Sequence, residues 1–362
     1  MYEWIDAPGE LVEWLDGKRH GAPVFLDTEF MRTNTYYSRL ALAQVNLDGG
    51  IALLDMPRLG EASPLATRLL DPAGLCVMHS ASEDLEALSG VLPAGPAQLF
   101  DTQIAAAMAG LGFGLSYQKL VAELLNIELL KAETRSDWLK RPLTNSQLDY
   151  AAQDVAYLPQ LHSILRERLD TLGRSDWLAE DCLRMIERVC RTQPDQQPQR
   201  ALRAAADWPI EHQALLRKIL LWREATARKL DKPKPWILDD ARALSLVAEP
   251  PTDNAELFER CKGLRALRGT QRQELYELLK TQLRPDDLDI APTPAALNSA
   301  QKRQMRSMRD DVVRIAEQLQ IPEGLLCPRR HLQSLVGERT WPDALEGWRK
   351  PLLFDALMAK MG

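Results

Sequence analysis

An apolar run, Val24-Phe25-Leu26, ends in two carboxylates, Asp27 and Glu29, placed on either side of Thr28. Short and apolar, the run predicts a buried strand. Strand side chains alternate faces with period 2, so Asp27 and Glu29 project together. Two like charges at the end of a buried strand repel and lose hydration unless cations neutralise them. Oxygen donors of this kind suit hard divalent ions such as Mg²⁺ or Mn²⁺. An Asp-x-Glu triplet also arises by chance in a chain of this length, so further residues must carry the reading.

Short apolar runs recur at Leu40–Val45, Ile51–Leu54 and Gly74–Met78. Helical patterns are predicted at 82–89, 103–109, 116–125 and 146–169. Strands interleaved with helices predict a mixed α/β sheet in residues 1–190, with its core in 1–170. Beyond residue 200 the patterns are helical throughout. His212–Lys229 has near-3.6 periodicity, Asp239 reads as the N-cap of a helix over 240–248, and Asp253 with Glu256 reads as a capping box. Gln193–Gln199 and Pro285–Pro294 are polar, proline-containing linkers. They predict two small all-α domains at 200–288 and 293–362. Trp236-Ile237-Leu238 with Leu246-Val247 is faintly echoed by Leu325-Leu326-Cys327 with Leu335-Val336.

The net charge of −6 argues by itself against a nucleic-acid partner, but its distribution does not. Residues 1–170 hold 13 Lys/Arg against 23 Asp/Glu, whereas 200–284 hold 17 against 12. An acidic domain that meets phosphates needs metal ions or a basic neighbour, and this arrangement allows both. The five cysteines are odd in number, scattered and free of any CxxC pair. That disfavours a disulfide framework or a zinc site. There is no run of 18 apolar residues and no charged-then-apolar leader at Met1, so a cytoplasmic protein is expected.

Two further acidic elements follow. His79-Ser80-Ala81-Ser82-Glu83-Asp84 joins a predicted strand to a predicted helix, which puts Asp84 in the first helical turn. Taken alone, this is also the pattern of a plain Ser82-capped helix. Tyr150 and Asp154 share one face of a strong helix by their i, i+4 spacing. Together, Asp27, Glu29, Asp84, Tyr150 and Asp154 come in the order that a two-metal nuclease needs, with one ion on the attacking water and one on the leaving oxygen.

At these residues the chain resembles the four-carboxylate 3′→5′ exonuclease superfamily, in its tyrosine subclass. The likeness to the ribonuclease D family is closer. It rests on Phe25 through Tyr37, on Asp101-Thr102-Gln103-Ile104-Ala105-Ala106, and on Arg135-Ser136-Asp137-Trp138-Leu139-Lys140-Arg141-Pro142-Leu143. Leu221 through Arg228 with Pro235-Trp236-Ile237-Leu238-Asp239-Asp240 resembles the helical domain shared by helicases and ribonuclease D. Residues 295–362 carry the likeness most weakly. One departure is Ser80, where the wider superfamily often has Asn.

The resemblance implies a ribonuclease H-like fold for 1–170 and metal ligation by Asp27, Glu29, Asp84 and Asp154. It implies two divalent ions, Mg²⁺ or Mn²⁺, with Tyr150 orienting the attacking water. Nucleoside 5′-monophosphates would leave the 3′ ends of RNA, with transfer-RNA precursors and other structured RNAs as substrates. A DNA 3′→5′ exonuclease and a non-catalytic RNA-binding scaffold are the alternatives.

Residues expected to touch RNA are Phe30 and Tyr36 by stacking, Lys131 and Arg135 through phosphates, and the basic cluster of Lys262, Arg265 and Arg268. Each has a structural alternative in sheet packing or a solvated helix face. His79 is expected to be a hydrogen-bonded structural residue, and Trp138 with Arg141-Pro142 a loop anchor.

Overall fold

The computed structural model describes residues 1–60, 63–129, 136–191 and 193–361. It divides into two compact units. One comprises Met1–Met31, Ser38–Thr192 and Gln304–Gly362, and the other Arg32–Tyr37 and Gln193–Arg303. Among the described residues, no helix is long and apolar enough to cross a membrane.

The first unit is built on one mixed sheet of β1 (Glu3–Ile5), β2 (Val24–Met31), β3 (Arg39–Leu47), β4 (Gly50–Asp55), β5 (Leu75–Met78) and β6 (Gln98–Asp101). The strand order is β1-β4-β3-β2-β5-β6. β3 runs antiparallel to both neighbours, and the other pairs are parallel. Every residue from Ala41 to Leu47 is buried, Gln44 and Asn46 included, so β3 is covered on both faces. Such coverage explains why the strands read as near-continuous apolar runs.

The helices of this part are α1 (Pro8–Asp16), α2 (Met56–Leu59), α3 (Ser63–Leu70), α4 (Ser82–Ala87), α5 (Thr102–Met108), α6 (Tyr117–Leu125), α7 (Asn145–Ala156), α8 (Leu158–Leu172) and α9 (Ser175–Ile186). The helix expected over 146–169 is two helices, α7 and α8, broken at Tyr157. Pro159 explains the break, since it lacks an N–H and its ring crowds the preceding turn. Tyr117 closes the gap. Its hydroxyl donates to the Gln153 carbonyl at 2.9 Å and accepts the Tyr157 N–H at 3.2 Å.

α7 begins with a true capping box between Thr144 and Gln147. Its Ala151 and Ala152 are buried, and Asn46 Nδ2 on β3 donates to the Val155 carbonyl at 3.1 Å. By register, Asn46, Gln44 and Leu42 stand opposite Phe25, Asp27 and Glu29. Cross-strand partners share a face. α7 therefore lies over the face that carries both acids of β2.

Residues from Gln304 onward, within the segment 293–362 read as a second helical domain, fall in the same compact unit as the sheet. The cause is a set of buried contacts that charge counting cannot show. Arg349, 8% exposed, holds Asp181 of α9 through two N–O contacts of 2.6 and 2.8 Å. Trp348 stacks on Trp177 at 4.5 Å, and Arg174 donates to the Leu319 carbonyl at 2.6 Å.

The second unit contains α10 (Ile210–Leu230), α11 (Lys234–Ile237), α12 (Asp240–Ala248), α13 (Asn254–Arg260) and α14 (Gly269–Lys280). These are followed in the chain by α15 (Ser299–Leu319), α16 (Glu323–Leu326), α17 (Arg329–Glu338) and α18 (Lys350–Met358). Leu216, Ile219, Leu238, Leu246, Val247, Leu257 and Leu275 form the core of the second unit. Asp239 caps α12 and Asp253 caps α13 as expected. Glu256, however, accepts from the Thr252 N–H, one residue before the position a capping box requires. The faint repeat has a backbone counterpart. A four-residue helix, two linking residues (Leu238-Asp239 or Cys327-Pro328) and a longer helix occur in both places.

Candidate active site

β2 is hydrogen-bonded to β3 from Phe25 to Met31, but pairs with β5 only at Val24 and Phe25. Beyond Phe25 the β5 side of the strand is open. The chain leaving β5 turns back through residues 79–81 into α4, and this brings Asp84 to the open side. Thr28, on the opposite face from Asp27 and Glu29, donates through Oγ1 to Asp84 Oδ1 at 2.5 Å. Asp84 is 8% exposed and Asp154 9%, whereas Asp27, Glu29 and Tyr150 are half-buried. Ser82 does not cap α4. Ala81 takes the N-cap position, and no side chain accepts there.

The electrostatics bring all four acids into one neighbourhood. Burial, and then the charges of Asp84, Asp154 and Glu29, push the Asp27 carboxyl well above the usual range. Burial with Asp154 and Asp84 raises Glu29 to about 8. Asp154 is raised to about 7 by burial, against the lowering effect of a hydrogen bond from Tyr150. Asp84 is raised to about 6, again by burial first, with the Thr28 bond opposing. Burial and the neighbouring acids push the Tyr150 phenol upward too, so in this setting it is a hydrogen-bond donor and not a base.

Among the described residues, no three His, Cys, Asp or Glu side chains are already drawn into a ready cage for a metal ion. The donor set nevertheless fits hard cations. It consists of carboxylates alone, and each is destabilised in its ionised form by burial and by neighbouring acids. Asp154 Oδ2 is buried without a hydrogen-bond partner. A divalent ion would satisfy that oxygen and reverse the repulsion.

Sequence reasoning missed Tyr117 and Gln44. Burial raises the Tyr117 phenol, and the charges of nearby Asp154 and Asp27 add to the effect. Gln44 stands cross-strand from Asp27, fully buried, with neither amide atom bonded to protein. A polar residue inside an apolar run was the available signal for Gln44. For Tyr117, at the start of an ordinary amphipathic helix, there was none. His79 is structural, as expected. Its Nδ1 lies 2.9 Å from Thr102 Oγ1, its Nε2 lies 3.0 Å from the Leu115 carbonyl, and burial lowers its pKa. Arg141 is a loop anchor, paired with Asp55 at 2.8 and 2.9 Å and bonded to the Trp138 and Ala41 carbonyls.

The residues expected to touch RNA fall in different settings. Phe30 is half-buried in β2, just past a register shift after Glu29. Tyr36 belongs to the second unit, where its hydroxyl bonds the Glu224 carboxylate and Arg228 lies over its ring at 5.2 Å. The Tyr36 and Tyr37 N–H groups both donate to Asp231 Oδ1. These commitments make Tyr36 part of the fold of that unit. Lys131 and Arg135 lie outside the described residues. Lys262, Arg265 and Arg268 are exposed on the second unit, with Arg265 over the Trp236 ring at 4.9 Å.

Comparison with known proteins follows the same division. A 3′-5′ exonuclease family model matches residues 2–170. Ribonuclease D of Xanthomonas oryzae pv. oryzae is 40% identical over 353 residues, covering 98% of this chain and 96% of that protein. Ribonuclease D of Pseudomonas paraeruginosa is 33% identical over 368 residues, with coverage of 98% and 96%. Among solved structures, Escherichia coli RNase D, described as an exoribonuclease involved in structured RNA processing, superposes with a TM-score of 0.89. The identity is 28%, and the match covers 100% of this chain and 98% of that one.

Proposed function

The chain belongs to the ribonuclease D family and is a 3′→5′ exoribonuclease with the metal-dependent fold of that family; on that premise we propose that Asp27, Glu29, Asp84 and Asp154 hold two divalent ions, Mg²⁺ or Mn²⁺, and that Tyr150 orients the attacking water. The observation that carries this reading is the convergence of the four carboxyl groups, with Asp84, Asp154 and Glu29 all close enough to Asp27 to act on it and with Asp154 Oδ2 buried and unpartnered. When bound, such ions supply Lewis acidity, easing deprotonation of water and stabilising the leaving oxygen.

The residues divide the remaining work. β2 presents Asp27 and Glu29 side by side. Thr28 fixes the rotamer of Asp84, and Tyr150 fixes Asp154 through its hydroxyl. The Tyr150 hydroxyl can donate to Asp154 or to an incoming oxygen. Attack at the last phosphodiester releases a nucleoside 5′-monophosphate and leaves a 3′-hydroxyl on the shortened strand.

Transfer-RNA precursors and other structured RNAs with free 3′ ends are the proposed substrates. Phe30 is the stacking candidate beside the site. Lys262, Arg265 and Arg268, in the segment with five excess basic residues, would meet the RNA backbone. Residues 200–288 would thus be an RNA-capture module for the acidic catalytic unit. Digestion of 5′-labelled and 3′-labelled RNA with Mg²⁺ or Mn²⁺, with a chelator control, tests the reading. Mononucleotide release from the 3′ end that stops with chelator is expected. Internal cleavage or chelator-insensitive cleavage would contradict it.

A further inference from the structure

We propose that Asp101 is a positioning residue for Asp84. Its carboxylate clasps the turn that starts α4 and so sets where that metal-ligand candidate stands. The proposal rests on the reading that Asp84 is a metal ligand.

β5 and β6 end side by side, with Met78 opposite Asp101. Asp101 is fully buried. Its Oδ1 accepts from the N–H groups of Gln103 at 2.8 Å, Ile104 at 3.1 Å and Ser80 at 3.3 Å. Its Oδ2 accepts from the Ala81 N–H at 2.8 Å. One carboxylate thus caps α5 and at the same time ties down the two residues that lead into α4.

α4 needs this external hold. It has six residues and no side-chain N-cap, and a helix that short does not persist on its own local bonds. The Ala81 carbonyl accepts the Leu85 N–H at 2.9 Å, so a displaced Ala81 would displace the first turn, which contains Asp84. The turn is also conformationally demanding. Ser80 has φ +60°, in the left-handed region. Non-glycine residues pay a steric cost there, Asn least and β-branched residues most. This gives a backbone reason why the position occupied by Ser80 would accept Asn, independent of any amide contact in the site.

The two oxygens of Asp101 allow the two tasks to be separated. In Asp101→Asn, an amide oxygen at the Oδ1 position still caps Gln103 and Ile104. The amide NH₂ then faces the Ala81 N–H, donor against donor, and the clasp keeps only its longer bond, from the Ser80 N–H. Ser80→Val strains the same turn from the exposed surface without touching a buried group, and Ser80→Gly relieves it.

The test is thermal stabilisation of the full chain by Mn²⁺ alone, without RNA, across a concentration series at fixed pH. Asp101→Asn should raise the Mn²⁺ concentration for half-maximal stabilisation by about ten-fold or more, as found for groups that orient metal ligands. Ser80→Val should raise it by a smaller factor, and Ser80→Gly should leave it unchanged. A merely structural Asp101 would lower the metal-free Tm and leave the midpoint where it was. Asp84→Asn separates the two readings. If it keeps the wild-type midpoint, the ligand assignment itself fails. If it loses the response while Asp101→Asn and Ser80→Val keep the wild-type midpoint, the positioning role of Asp101 is overturned. Should Asp101→Asn not fold, Ser80→Val decides alone.

Discussion

Two glutamates define the contrast between the two units. Glu29, in the first, has acidic neighbours, and burial with Asp154 and Asp84 raises it to about 8. Glu224, in the second, is also partly buried, which by itself would raise it. Hydrogen bonds from Tyr36, Lys234 and Arg228 overcome that effect and hold it at about 2. The same side chain thus sits among like charges in one unit and in a closed ion-pair cluster in the other. Burial of a carboxylate does not mark function; the charge of what surrounds it does.

The largest expected effect is on Asp154. Asp154→Asn should reduce hydrolysis by about 10³-fold or more, because a metal ligand is lost. RNA binding measured in Ca²⁺ should change little. Retention of more than a few per cent of activity would break the assignment. Tyr150→Phe comes next, with a loss of about 10²-fold in kcat, since the metals remain and only a positioned hydroxyl is removed. An unchanged rate would reduce Tyr150 to packing.

The pH dependence of stability should run in opposite directions at the two glutamates. Glu29 and Asp154 have raised pKa values, so the metal-free native state binds more protons than the unfolded chain between about 4 and 8. Stability contributed by these groups must therefore fall as pH rises through that window. Glu224 is lowered, so its contribution is present above its unfolded value and is lost as pH falls toward about 2. Asp154→Asn should accordingly raise the metal-free Tm at pH 8 while abolishing activity. A lower Tm there would contradict the claim that the acids repel one another. The smallest effect is expected for Glu224→Gln. It should cost at most about 1 kcal/mol at pH 7, as partly exposed ion pairs do, with kcat unchanged on a short RNA. A large loss of kcat would mean the cluster is not merely structural.

The site was more legible in the sequence than the fold around it. Asp27, Glu29, Asp84, Tyr150 and Asp154 announce themselves by period-2 and i, i+4 spacing, which survives without tertiary context. β1 and β6, of three and four residues, carry too little pattern to stand out. Pro159 was visible as a breaker, yet the strong periodicity around it suggested one long helix. The grouping of residues 304–361 with the sheet depends on Arg349 meeting Asp181 and Trp348 meeting Trp177, contacts 168 and 171 positions apart in the chain. Tyr36 looked like a stacking residue because it follows Asp27 and Glu29 closely. The hydrogen bond to Glu224 that occupies it comes from 188 residues away. The left-handed Ser80 was not legible at all, because Ser gives no signal for a positive φ.

The central claim is that four mutually repelling carboxyl groups form a metal site, and proton release tests it most directly. Mn²⁺ binding to the full chain would be measured by calorimetry at pH 7 in two buffers of different ionisation enthalpy. The account predicts that binding expels about one to two protons per chain, because ligands must ionise to coordinate. The release should shrink as pH is raised past about 8, the value to which Glu29 is pushed, and should diminish in Asp154→Asn. Binding of Mn²⁺ with no proton release at pH 7, or with the same release in Asp154→Asn, would contradict the account.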